Sequence, residues 1–188
     1  MEPIIALWLP ILLSAVAVFI ISSILHTVFT YHNSDFNTLP DEDKIMEDLR
    51  KYNVPAGDYM MPYCTSNKER QSQEFKDKMN KGPVGVFTIF PSGKIAMGGL
   101  LFQWFIYCII VSIFAAYIAG LTLAPGTHYI TVFRITGTVA FAGYSLALLQ
   151  QSIWYKKSWA ATLKSFFDGL IYALFTAGFF GWLWPAVI

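Results

Sequence analysis

Polar and apolar positions along the chain fall into long blocks. The first apolar run goes from Pro3 to about Phe29, with serines, His26 and Thr27 as its polar residues. A second, GGLLFQWFIYCIIVSIFAAYIAGL, covers 98–121, a third reaches from about Tyr129 to Leu149, and a fourth from about Phe166 to Trp184. Each is close to the ~20 residues a helix needs to cross ~30 Å of hydrocarbon. The expected fold class is therefore an all-α integral membrane protein of four transmembrane helices. Helix 1 falls within 1–31, and a three-helix array fills 98–188, with spans at 98–121, 129–150 and 165–185. TLAPGTHY separates spans two and three, and its Pro125-Gly126 marks a tight turn. QQSIWYKKSWAATLKS separates spans three and four, so the last three spans are antiparallel neighbours. The opening MEPIIALW carries an acid and no base, and the run behind it is too long for a signal peptide, so it is expected to persist as a helix. Pro10, near the start, is tolerable there but would kink the helix deeper in.

Residues 32–97 read as a small α/β insert with two short helices and one strand-like segment. TLPDEDKIMEDLRKY predicts a helix with Thr38 as N-cap, Pro40 in the first turn and acids at the positive end of the dipole. Ile45, Met46, Leu49 and Tyr52 recur on it as one narrow apolar stripe. Ser66 and Glu69 form a capping box for a second, polar helix ending near Gly82. VGVFTIF (84–90) reads as a strand closed by the turn PSGK.

Composition supports this division. The chain is 55% hydrophobic and 13% charged, where a soluble domain carries about a quarter charged residues. A net charge of +1, without a basic cluster, excludes a nucleic-acid partner. Nine lysines and arginines lie between residues 44 and 94, and Lys156, Lys157 and Lys164 in the third loop, while the N-terminus, second loop and C-terminal tail have none. The positive-inside rule then puts both termini outside and the insert in the cytoplasm, the expected setting being a bacterial inner membrane. Trp8, Trp182 and Trp184 at one interface and Trp104, Trp154 and Trp159 at the other fit aromatic belts.

Candidate chemistry is sparse. Gly169, Ala173, Ala177 and Gly181 make a small-residue ridge on the fourth span, and Thr136, Ala140, Gly143 and Ala147 a comparable face on the third. Such ridges let helices pack closely, within the bundle or with another subunit. Two charges lie inside spans, where the default reading is functional. Arg134 is a candidate lipid or anion contact, or snorkels to the headgroups. Asp168 reads as the i,i+4 partner of Lys164. On a continuous helix His26 and His32 are about 120° apart and share no face. A metal site of His26, His32 and Asp35, with Asp41 or Glu42 in reach, therefore requires the chain to fold back after the first span. His128 belongs to the opposite end, which excludes a bis-imidazole haem site using it. Met60, Met61 and Cys64 offer soft sulfur donors of the kind Cu(I) prefers. Cys64 and Cys108 give neither metal spacing nor a disulfide framework. No phosphate loop, nucleophile elbow or HExxH motif is present.

The residues point first to a non-enzymatic accessory or structural subunit of a larger membrane complex, with no cofactor and with lipids and other membrane subunits as partners. The alternatives are a small transporter or lipid- or anion-binding protein using Arg134, and a membrane metalloprotein using His26, His32 and Asp35.

Overall fold

A computed structural model describes residues 4–187; the start of the first run at Pro3 lies outside them. The chain divides into two compact units. One comprises the segment through Asn37 together with everything from Ala96 onward, and the other is Thr38–Ile95. The protein is mostly helical, with four helical segments long and apolar enough to cross a membrane: Ile4–Thr27, Met97–Thr122, Tyr129–Tyr155 and Trp159–Trp182.

In the first unit, a 3₁₀ turn at Ile4–Leu7 leads into α1 (Trp8–Thr27). Pro10 thus sits in the first α-helical turn, where its missing N–H has no intrahelical partner to lose. The insert contributes α2 (Glu42–Lys51), β1 (Gly57–Met61), α3 (Asn67–Gln71), α4 (Gln73–Lys81) and β2 (Gly85–Ile89). The bundle resumes with α5 (Met97–Thr122), α6 (Tyr129–Ser145), α7 (Leu149–Tyr155) and α8 (Trp159–Trp182). Helices α1 and α6 each pack on both α5 and α8, so the four long elements form a ring. The third span is longer than its apolar run. After a 3₁₀ break at Leu146–Leu148 it continues as α7, and only Lys156–Ser158 separate it from α8. Much of the expected third loop is therefore helical, and α8 starts at Trp159 rather than at 165. Lys156 takes the left-handed conformation that ends α7, and a buried Ser152 Oγ–Thr162 Oγ1 hydrogen bond of 2.8 Å ties the two helix ends together.

The bundle core is built from small residues. Ala15, Ala115, Ala116, Ala119, Ala140 and Ala177 are fully buried, among few large side chains such as Phe180. Side-chain hydrogen bonds cross between helices. Ser14 Oγ donates to Ser112 Oγ (3.0 Å), Trp104 Nε1 to Ser22 Oγ (2.8 Å) and Tyr107 OH to the Gly143 carbonyl (2.6 Å). In lipid the apolar faces gain little by meeting each other, so close contact and polar bonds of this kind carry association. The α8 ridge faces inward. A Cβ added at Gly169 would lie 2.1 Å from Ser145 Oγ and 3.2 Å from Tyr144 Cβ, and one at Gly181 2.6 Å from the Tyr129 ring. Ala177 abuts Gly137, whose added Cβ would be 3.0 Å away. The matching face expected on the third span divides. Thr136 and Ala140 are buried, Gly143 lies against Val111 of α5, and Ala147 is exposed.

The second unit pairs β1 with β2 antiparallel, from Gly57 opposite Ile89 to Met61 opposite Gly85, and stacks Tyr59 on Phe87. The sequence pattern yields only β2, because β1 includes YMM, read there as sulfur donors. Adjacent strand residues point to opposite faces, which separates Met60 from Met61 as ligands. The first insert helix starts later than expected. Asp41, in the left-handed region, precedes Glu42, and its carbonyl accepts the N–H groups of Lys44 and Ile45. Thr38 and Pro40 stay outside, since the residue before a proline is disfavoured in helical conformation. The Ser66 cap forms, its Oγ accepting from Glu69 N, but Glu69 turns its carboxylate to Thr65 N and Oγ1 instead of to Ser66 N. Those bonds, the backbone one foremost, hold Glu69 below the usual glutamate range. Ser72 caps a separate helix, α4, so the polar segment is two helices, ending at Gly82. No described residue of this unit is fully buried.

Packing against α6 makes Gly169 intolerant of size. Gly169→Leu is expected to lower stability by about 1–3 kcal/mol, read as an earlier thermal transition in detergent. Gly98→Leu, whose Cβ would meet nothing within 4 Å, is expected to leave it within ~0.5 kcal/mol.

Candidate metal centre

The end of α1 prepares a chain reversal. Ser23 and Thr27 return their hydroxyls to the carbonyls of Phe19 and Ser23, and Val28 N closes the last turn on Ile24 O. Three residues later Tyr31–Ser34 form a 3₁₀ turn, in which Asn33 N donates to Thr30 O and Asp35 N to His32 O. This folds the segment back on α1. The His26 and His32 rings are stacked with centroids 4.5 Å apart and planes inclined by 29°. The rotation of a continuous helix would have kept them apart; the helix stops at Thr27, and the turn does the rest.

His32 stands between two carboxylates. Its Nδ1 is 2.6 Å from Asp35 Oδ2 and its Nε2 is 2.8 Å from Asp168 Oδ2. Tyr31 OH donates to the other Asp168 oxygen. Lys164 donates to Ser34 Oγ (2.7 Å), to Asp35 Oδ1 (2.8 Å) and to the Tyr31 carbonyl. Lys164 thus turns away from Asp168, its expected i,i+4 partner, and holds the reversed segment instead. The side chain of Asp168 is 3% exposed, that of Asp35 11% and that of His32 15%. Tyr172 OH lies 3.5 Å from His26 Nε2, at the outer limit of a hydrogen bond.

The electrostatics follow from these contacts. Burial, and then the bond to Asp168, pushes the Tyr31 phenol up, so Tyr31 remains a neutral donor. Burial pushes Asp35 up as well. The Lys164 and His32 hydrogen bonds and charges outweigh it and hold the carboxyl below its usual range. Asp35 is therefore ionised, and it takes the N–H of His32 Nδ1. A neutral imidazole has only one N–H. If Nδ1 carries it, the Nε2 lone pair faces the Asp168 carboxylate at 2.8 Å. Two acceptors at that distance need a proton between them, on Nε2 or on the Asp168 carboxyl, or a metal ion in its place.

His26, His32 and Asp168 each offer a ligand atom, and these atoms lie within 4.8 Å of one another. Imidazole nitrogens and carboxylate oxygens bind Zn²⁺ at about 2.0–2.2 Å in a tetrahedron, so closing on an ion asks His26 to draw in by roughly an ångström and the His32–Asp168 pair to open slightly. His32 already has the support common to metal-bound histidines, its other nitrogen being held by a carboxylate. Asp35 belongs to that support and not to the ligand group. Asp168, assigned from the sequence to Lys164, joins the histidines instead; the available signal was an acid one turn inside an apolar helix at the same end of the bundle as His26.

The other candidates lie elsewhere. His128 caps α6 with Nδ1 accepting from Ile130 N (3.4 Å). Arg134 is exposed beside Phe133, Gly137 and Leu170, with no ion pair among the described residues. Cys64 is half-buried and Cys108 buried, both as free thiols.

Replacing Lys164 by Met would leave Asp35 with His32 alone and free the reversed segment. It is expected to lower stability by about 2–3 kcal/mol, somewhat under the cost of breaking a fully buried pair, whereas Arg134→Met leaves the thermal transition in place. Comparison with protein-family models, with curated proteins and with solved structures gave no match.

Proposed function

We propose that this chain is an integral membrane metalloprotein that holds one divalent first-row ion, of the class of Zn²⁺ or Fe²⁺, through His26, His32 and Asp168. The observation that carries this reading is a single imidazole lodged between two carboxylates with a second imidazole stacked on it. With both carboxyls ionised, two carboxylates against one ammonium leave the cluster short of positive charge while both imidazoles are neutral. Burial of Asp168 makes that shortfall costly. The donor set of two nitrogens and one oxygen suits a borderline divalent ion and not Cu(I). Three protein donors leave a coordination position for water or a ligand, the arrangement of sites that do chemistry; structural zinc sites use four.

Elemental analysis of protein purified without chelator is expected to give close to one metal per chain. His26→Ala, His32→Ala and Asp168→Asn are each expected to reduce occupancy at least tenfold, in line with loss of a ligand, and Arg134→Ala to leave it unchanged. Folded wild-type protein lacking metal, and taking up none on titration with Zn²⁺ or Fe²⁺, would instead leave a purely structural network with a proton between His32 and Asp168.

The lysine and arginine distribution supports placing both termini outside a bacterial inner membrane and the insert and metal centre at the cytoplasmic face. A second role, as a subunit of a larger assembly, is favoured by the α2 stripe. Met46, Leu49 and Tyr52 are 48%, 41% and 78% exposed. The α8 ridge does not serve this role, being used against α6. Purification in mild detergent is expected to retain a stoichiometric partner, released by Leu49→Glu; a lone monomer under those conditions counts against the assembly.

A further inference from the structure

Beside the metal centre, an apolar groove of about 590 Å³ runs between the end of α1 and the start of α8. Its walls are Leu25 and Phe29 on one side and Leu163, Phe167 and Ile171 on the other. Its two polar residues are Tyr31 and Lys164. Both belong to the cluster already described, since Tyr31 OH donates to Asp168 and Lys164 to Asp35. The volume is within the range of small-molecule sites, about 300–1,000 Å³. Phe29, Leu163 and Phe167 are 53%, 54% and 58% exposed, so the groove opens sideways, toward the medium that surrounds an apolar bundle.

A second groove, at the other end of α8, provides a contrast. Leu174, Phe175, Gly178, Phe179 and Trp182 line it, none of them charged. Any acyl chain in the membrane can lie against that surface without preference. The groove at Leu163 differs in ending on a charged, hydrogen-bonding site.

From this continuity we infer that the ligand of the metal centre is a single-chain anionic amphiphile that enters from the membrane. Its chain lies between α1 and α8, and its carboxylate reaches the open position of the ion. The inference rests on the metal reading. A divalent ion reverses the charge of the cluster: two carboxylates, one ammonium and one dication leave a net positive site. That site attracts an anionic oxygen and is indifferent to an alcohol of the same length. A chain held in the groove would deliver its head to the ion without crossing water, and Tyr31 and Lys164 would line the passage. A groove of this volume suits one acyl chain, which favours a fatty acid over a two-chain phospholipid.

The test uses full-length protein in a non-ionic detergent, with palmitate bearing a diazirine on its chain as the probe and peptide mapping as the readout. Metal content is measured on the same sample. Expected are crosslinks on residues 25–31 and 160–171, a loss of at least tenfold in labelling after removal of metal by chelation, and a similar loss with the matching hexadecanol probe. Ala160→Trp and Leu163→Trp, two separate ways of filling the groove, should each suppress labelling while metal content stays that of the wild type. Crosslinks spread equally over 174–182 in protein that contains metal would overturn the inference and leave the metal reading standing. Labelling at 160–171 that survives chelation, or that the alcohol matches, would also overturn it, since the head would then owe nothing to the ion. Wild-type protein that binds no metal and labels without regard to head charge removes both readings together.

Discussion

Everything distinctive in this molecule depends on one stoichiometric fact: a neutral imidazole carries a single N–H, and His32 faces a carboxylate from each of its nitrogens. A further proton or a metal ion must complete the arrangement. The surrounding residues are set for that requirement. Lys164 neutralises the outer carboxylate, Tyr31 satisfies one oxygen of the inner carboxylate, and His26 brings a further nitrogen to the open side. The same contacts tie the reversed segment after α1 to α8, so the centre and the closure of the bundle are one structure.

The rest of the fold supplies a rigid frame for this end. Small residues bring α6 and α8 so near that glycines at 169 and 181 leave no room for a side chain. The hydroxyl and indole bonds between α1 and α5 lock the opposite side of the ring. A site whose donors sit on different helices is only as well defined as the packing between those helices. Here Asp168, which meets the reversed segment after α1, directly precedes Gly169, which is pressed against Ser145 of α6.

The four long helices were legible because each is a block of apolar residues near the length a membrane demands, and the PG turn fixes one connection. Their ends were less so. Polar residues such as Gln150, Gln151, Ser152 and Lys164 interrupt the apolar pattern in Gln150–Tyr155 and Trp159–Ser165, yet both are helical, because good helix formers and tertiary contacts such as Ser152–Thr162 extend the elements past it. In the insert, the Ser66 cap and β2 could be read locally, whereas β1 could not. Its pairing is non-local, and YMM has no alternation to betray it. At the centre, the sequence supplied His26, His32 and Asp35 as a conditional group, dependent on a fold-back that a 3₁₀ turn then provides. Asp168 lay more than a hundred residues away, with Lys164 as a ready local partner. Helical spacing favoured that pair, and three acceptors on the reversed segment outcompeted it for the ammonium.

The separation of these residues along the chain also sets an order of events. His26 and His32 emerge from the ribosome early, while Asp168 is made only after three of the four long helices. Until α8 docks beside α1, the two imidazoles have no inner carboxylate and the reversed segment has no lysine to hold it. A nascent chain therefore carries only part of this cluster for most of its synthesis. On the metal reading proposed above, capture of an ion would belong to the last step of biogenesis and act as a seal on a correctly closed bundle.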